Sequence, residues 1–178
     1  MITLIILFYL IVGIYTGARR GLTLQLVYIA GYFITFLVAV FTHEKLAKFL
    51  SVFIPYPSYV PGNQLAIFSQ EQAMNLDHSF YRLISFLMIM ILGWLVVRFL
   101  GYIASELTFL PLLKQFNTIS GAALGFLMNY LFVYFVLYAI AMIPLAPAQK
   151  MIEGGLPNFI ITKTPILTQI VSSWLLPK

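Results

Sequence analysis

Cysteine is absent from all 178 residues, which excludes disulfides, thiolate nucleophiles and cysteine-ligated metal or iron–sulfur centres. Charge is scarce too: 8% of residues are charged and 62% hydrophobic, where a soluble domain carries roughly 25% charged residues. A chain so short of polar groups cannot cover its own surface in water, but lipid covers apolar faces in a bilayer. The ten basic and five acidic residues leave a net charge of +5. They are spread thinly, without a basic cluster interleaved with polar aromatics, so no nucleic-acid partner is expected. A few cations near anionic headgroups account for the balance. Neither H-E-x-x-H nor a phosphate-cradling glycine loop occurs. Asp77, His78 and Ser79 are adjacent, but a catalytic triad is assembled in space rather than by sequence neighbours. No enzyme, cofactor or metal site is therefore expected.

What is present is a series of long uncharged runs. Met1 to Ala18 carries no charged side chain and is followed at once by Arg19 and Arg20. Eighteen residues at about 1.5 Å each just cross a hydrocarbon core of ~30 Å. A secretory signal has its basic residues before the apolar run, so this segment reads as a retained span, 2–18. A second run, 22–42, follows the tight basic turn. Between His43 and Ser79 prolines accumulate (Pro55, Pro57, Pro61) with Gly62 and Asn63, marking a connection outside the membrane. Within it Leu46, Phe49, Leu50 and Phe53 recur at helical spacing and predict a short amphipathic helix over 44–54. A third span, 80–104, is bracketed by Arg82 and Arg98. A fourth, 119–143, ends at Pro144 and Pro147. Thr164 and Pro165 then read as an N-cap and a first-turn proline. They open a second amphipathic helix over 165–176, with Ile166, Leu167, Ile170, Val171, Trp174 and Leu175 in one stripe and Thr168, Gln169, Ser172 and Ser173 in the other. The expectation is an all-α protein: one membrane domain over 1–178, a bundle of four transmembrane helices with two short interfacial amphipathic helices. Weighting short loops most heavily places the Arg19–Arg20 turn in the cytoplasm and both termini outside.

Gly13, Gly17 and Gly21 lie four apart on one helix face. Gly31, Thr35 and Ala39 repeat the pattern in the second span, and Asn117, Gly121 and Gly125 in the fourth. Small residues at this spacing let helix backbones approach closely, either within this bundle or against a second copy or a membrane partner protein. Asn129 lies one turn beyond Gly125, deep in an apolar span, where a buried amide requires a hydrogen-bond partner. An interhelical hydrogen bond is the bland reading and a polar solute path the sharper one. Arg98 and Glu106 are eight residues apart, on one face if the helix continues, and form a charged rim candidate with Arg19 or Arg20. The same arginines, at helix ends, also suit snorkelling to headgroups. Phe126, Tyr130, Tyr134 and Tyr138 make an aromatic stripe, which commonly means packing or lipid contact.

Two stretches carry a family likeness. Gly17-Ala18-Arg19-Arg20-Gly21 fits a G-x-x-R-G turn after a short first span. Leu110-Pro111-Leu112-Leu113, leading into Asn117 and then Gly121-Ala122-Ala123-Leu124-Gly125, fits an L-P-x-L stretch before a G-A-x-x-G helix start. In these motifs and in span order the chain resembles the bacterial colicin V production protein family; the long proline-rich middle connection departs from it. The resemblance implies a multi-pass protein of the bacterial plasma membrane, linked to production or secretion of a peptide toxin (a bacteriocin) and to envelope function through protein contacts. The alternative is a small oligomeric channel or carrier, motivated by Asn129, Arg98 and Glu106. The family defines no catalytic residues, so none are carried over.

Overall fold

At Gly21 the backbone takes φ 73° and ψ 173°, a left-handed conformation that glycine adopts without a Cβ penalty. Helical residues flank it on both sides, so the first helix, α1 (Ile2–Phe53), is two helices meeting at a single residue. The turn expected over 19–21 is therefore confined to Gly21, and Arg19 and Arg20 are themselves helical. The structure is a computed structural model, and it describes residues 2–56, 65–68, 76–104 and 114–175. Glu106 and the 110–113 motif lie outside the described residues.

Five further helices follow among the described residues: α2 (Leu76–Ala104), α3 (Lys114–Ala141), α4 (Ala146–Ile152), α5 (Gly155–Thr162) and α6 (Pro165–Leu175). No strand occurs among these residues. Three helices are long and apolar enough to cross a membrane: Ile2–Phe53, Leu76–Ile103 and Phe116–Ala141. That count is one lower than expected, because α1 holds both the 2–18 and the 22–42 runs. The 44–54 segment likewise continues α1, turning His43, Ala47 and Leu50 inward while Phe49 and Phe53 stay exposed. Helix α2 starts at Leu76, a turn before the expected Phe80, with Asp77 in its first turn, where a carboxylate suits the helix dipole.

The chain gathers into two compact units. The first combines Thr3–Phe41 with Met88–Val133. Its outward face is apolar, with Ile5, Phe8, Ile34, Leu92 and Ile119 all exposed, as suits side chains meeting lipid. Its interior is held by small residues. The second unit combines Thr42–Leu87 with Tyr134–Lys178 and has a conventional apolar core of Leu76, Leu83, Phe86, Tyr134, Tyr138, Met142 and Ile161. There α4 packs on α5 and α5 on α6. In α6 the stripe is rotated from its expected position: Val171 is buried and Ile170 exposed. Thr168 turns toward its neighbours because its hydroxyl finds acceptors there, the carbonyls of Ile161 at 2.6 Å and Thr164 at 3.0 Å.

Candidate functional site

In the first unit, residues 2–20 run antiparallel to α3 along a glycine seam. A Cβ on Gly121 would meet only backbone, 2.5 Å from the Gly17 carbonyl oxygen and 2.8 Å from Gly21 Cα. A Cβ on Gly125 would fall 2.9 Å from Gly17 Cα, and one on Gly13 would fall 2.6 Å from the Asn129 amide. The two small-residue faces thus cover each other within one chain. Both asparagines of the seam bind backbone. The break at Gly21 leaves the first N–H groups of the following helix without intrahelical acceptors. Asn117 Oδ1 supplies one, accepting from Leu22 N at 2.6 Å and from Thr23 N at 3.4 Å. It acts as a helix cap delivered from another helix. Asn129 Nδ2 donates to the Tyr9 carbonyl at 2.8 Å, reaching it across the gap that Gly13 leaves open.

Residues 22–41 pack antiparallel on α2 in the same manner. Gly31 faces Val97, Gly93 faces Thr35 and Gly101 faces the Tyr28 ring, where a Cβ would come within 2.5 Å of the ring carbon bearing the hydroxyl. Three arginines of this unit lie over aromatic rings. The Arg20 guanidinium lies over the Tyr28 ring at 4.4 Å, Arg98 over Trp94 at 5.3 Å and Arg19 over Tyr15 at 5.9 Å. Arg20 and Arg98 are both within electrostatic reach of Tyr32, which stacks on Tyr28 at 6.2 Å. The rim cations expected from sequence are thus brought together in part, with Arg20 and Arg98 around one tyrosine pair. Gln25 is buried on the same helix face as Tyr28, and its Oε1 has no partner among the described residues.

In the second unit three successive carbonyls at the end of α3 are capped by side chains. Gln149 Nε2 donates to the carbonyls of Ala141 at 3.1 Å and Ile143 at 2.7 Å. Tyr56 Oη donates to the Met142 carbonyl at 2.6 Å. The Gln149 Oε1 accepts from Ala66 N at 2.7 Å, so one buried amide joins α4, the end of α3 and residue 66. Burial, with Asp77 and Tyr81 adding to it, pushes the Tyr56 hydroxyl up to about 12. Tyr81 serves the end of α1, donating to the Ile54 carbonyl at 2.5 Å and accepting from Tyr56 N at 3.1 Å. Of the aromatic stripe, Tyr134 and Tyr138 are core residues here, and Tyr134 Oη donates to Thr168 Oγ1 at 3.1 Å. Arg82 pairs with Glu44 at 3.3 Å. Ser79 is buried while Asp77 and His78 face outward, so those three side chains do not converge.

Residues 2–174 match the Colicin V production protein family. The chain belongs to that family. It is similar to YshB, an uncharacterized transmembrane protein of Bacillus subtilis (strain 168). The two are 31% identical over 172 residues, covering 96% of this chain and 95% of the relative. No solved structure matches it. In this family member the G-x-x-R-G turn is thus the site of the helix break, with Gly21 breaking the helix and Gly17 packed against α3. The sequence reading missed Gly93 and Gly101, although their spacing of eight places them on one helix face. It also missed Gln149, which no periodicity signals.

Proposed function

We propose that this Colicin V production family member is a non-enzymatic, multi-pass protein of the bacterial plasma membrane, serving toxin production or secretion and envelope function through protein contacts. On this reading it crosses the bilayer four times. An unbroken helix of 52 residues would extend about 78 Å against a hydrocarbon core of ~30 Å. Broken at Gly21, its parts of about 28 and 48 Å suit one crossing and one crossing with an extension. The Arg19–Arg20 turn then lies in the cytoplasm and both termini outside. Cysteine-scanning with a membrane-impermeant thiol reagent tests this: Cys introduced at Thr3 should label from outside in intact cells, and Cys at Ala18 only after lysis.

The observation that carries the scaffold reading is the use made of the seam asparagines. Asn117 and Asn129, the polar side chains beside the glycines of the seam, are hydrogen-bonded to backbone, an arrangement that fixes helices rather than lining a path. Mild-detergent purification from native membranes at native expression should therefore recover a stoichiometric partner or a homo-oligomer. A lone monomer would count against it. The channel or carrier reading draws on a different residue, Gln25, whose buried carbonyl oxygen has no partner among the described residues. It predicts solute flux in proteoliposomes that Gln25→Leu abolishes. Wild-type liposomes as tight as empty ones would remove it.

A further inference from the structure

Arg98 stands on an exposed and otherwise apolar stretch of α2. Leu95 and Phe99 beside it and Tyr102 one turn on are all exposed. Among the described residues of the first unit there is no carboxylate side chain, while Arg19, Arg20 and Arg98 are all cationic. A guanidinium among lipid-facing side chains needs a counterion, and in a membrane the abundant one is the phosphate of a phospholipid. Stacking sharpens the fit. Trp94 and Tyr28 stack on Arg98 and Arg20, and stacking through a face does not use the in-plane N–H edge, the edge that grips a phosphate bidentately. The two arginines come from different helices but share a platform: Arg20 covers Tyr28, and Tyr28 packs on Gly101, three residues after Arg98.

We propose that Arg20 and Arg98, held by Tyr28 and Trp94, form a binding site for the headgroup phosphate of an anionic phospholipid, with its acyl chains lying along Leu92 and Leu95, on the membrane-centre side of Arg98. The site is independent of which partner or toxin the protein serves.

The test uses Trp94 as a local reporter. Full-length protein with Trp174→Phe is reconstituted in phosphatidylcholine vesicles containing a minor fraction of brominated lipid, either phosphatidylglycerol or phosphatidylcholine. Brominated phosphatidylglycerol should quench Trp94 at lower mole fraction than brominated phosphatidylcholine. Each arginine removed, as Arg98→Gln or Arg20→Gln, should reduce that preference about fivefold, the ratio that ~1 kcal/mol per interfacial cation implies. Arg98→Lys, which keeps the charge but loses the stacked bidentate fork, should keep only part of it, and Lys45→Gln with Lys48→Gln should keep all of it. Arg98 is exposed, so its variants should retain the wild-type melting midpoint. Equal quenching by the two lipids, or undiminished preference in Arg98→Gln, overturns the proposal. Loss of quenching to inorganic phosphate at constant ionic strength would reassign the site to a soluble anion and equally overturn it. A Glu106→Gln protein that preferred phosphatidylglycerol more strongly would show that this carboxylate, rather than a lipid, neutralises Arg98.

Discussion

Replacing Gly121 by alanine adds one methyl group at a place where nothing nearby can yield. The new Cβ would lie 2.5 Å from the Gly17 carbonyl oxygen and 2.8 Å from both Gly21 Cα and Gly21 C, against the 3.4 Å at which ordinary contact begins. All three obstacles are backbone, so no rotamer change relieves them and the two helices must part by about 0.9 Å, the difference between those distances. A gap of ~0.5–1 Å forfeits a quarter to a half of each dispersion contact worth ~0.1–0.2 kcal/mol, so a seam of roughly forty contacts loses about 2 kcal/mol. The same separation stretches the Asn117 and Asn129 bonds, interhelical hydrogen bonds worth ~0.6 kcal/mol each on average in membranes. The expected total is about 3 kcal/mol. Gly154→Ala is the control: nothing lies within 4 Å of its Cβ, although φ is +77° there, so it carries only the backbone term of about 1 kcal/mol. Loss of helical circular dichroism against SDS mole fraction in mixed micelles measures both. A Gly121→Ala protein within 1 kcal/mol of wild type would refute the intramolecular seam. If it kept its stability and lost an oligomer instead, the glycine face would belong to an interface between chains.

Asn117→Ala should cost about 1–2 kcal/mol, the value of a helix cap, and Asn117→Asp should recover part of it because Oδ1 is the atom used; the same SDS titration reads both. Gln149→Leu strands the Ala141 and Ile143 carbonyls and the Ala66 N–H at once, and a loss of about 3 kcal/mol is expected in thermal melts. A loss below 1 kcal/mol would mean that water replaces the amide freely. Tyr56 stays protonated in the folded protein up to about pH 12, whereas an unfolded tyrosine ionises near pH 10. Its contribution is thus complete below pH 10 and is lost as pH rises from about 10 to about 12. Discounted for partial exposure, the loss is about 1 kcal/mol. Tyr56→Phe should show a melting midpoint flatter across that alkaline window, and an unaltered slope would refute the assignment.

The seam was legible because spacing encodes a face. Gly13, Gly17 and Gly21 must share a side of any helix they occupy, and so must Asn117, Gly121 and Gly125. Which face meets which depends on register, and register is set by contacts roughly a hundred residues apart in the chain. The arginine pair was half legible: Arg19, Arg20 and Arg98 stood out as cations in apolar surroundings, but Tyr28 gave no sign that it would join Arg20 to α2. The second unit was the hardest to read. Pro144 and Pro147 mark the end of a span, yet proline also suits the first turn of a helix, and α4 has Pro at that position. Polar side chains that cap carbonyls, such as Gln149, Tyr56 and Thr168, follow no apolar period. Thr168 helps to rotate the expected stripe, because a hydroxyl with two carbonyls in reach is satisfied against its neighbours as well as in solvent.

Within the first unit the break at Gly21 ties the seam to the arginine pair and explains why the turn has its composition. A glycine there satisfies two demands at once, a φ of 73° and room for Asn117, whose Cγ would lie 2.8 Å from any added Cβ. Each demand alone tolerates another residue at some cost: asparagine enters the left-handed region, and alanine fits many helix contacts. Together they leave only glycine. The preceding arginines can stay helical because the chain needs just one residue to break, and staying helical sets Arg20 eight residues before Tyr28, over whose ring it lies. Lengthening the turn by a flexible residue between Arg20 and Gly21 should therefore abolish together two properties that no single contact joins. The Asn117 cap would be lost from the seam, and Arg20 would leave Tyr28. An insertion that lowered stability while leaving the arginine pair's lipid preference intact would show that the two are not linked through this turn.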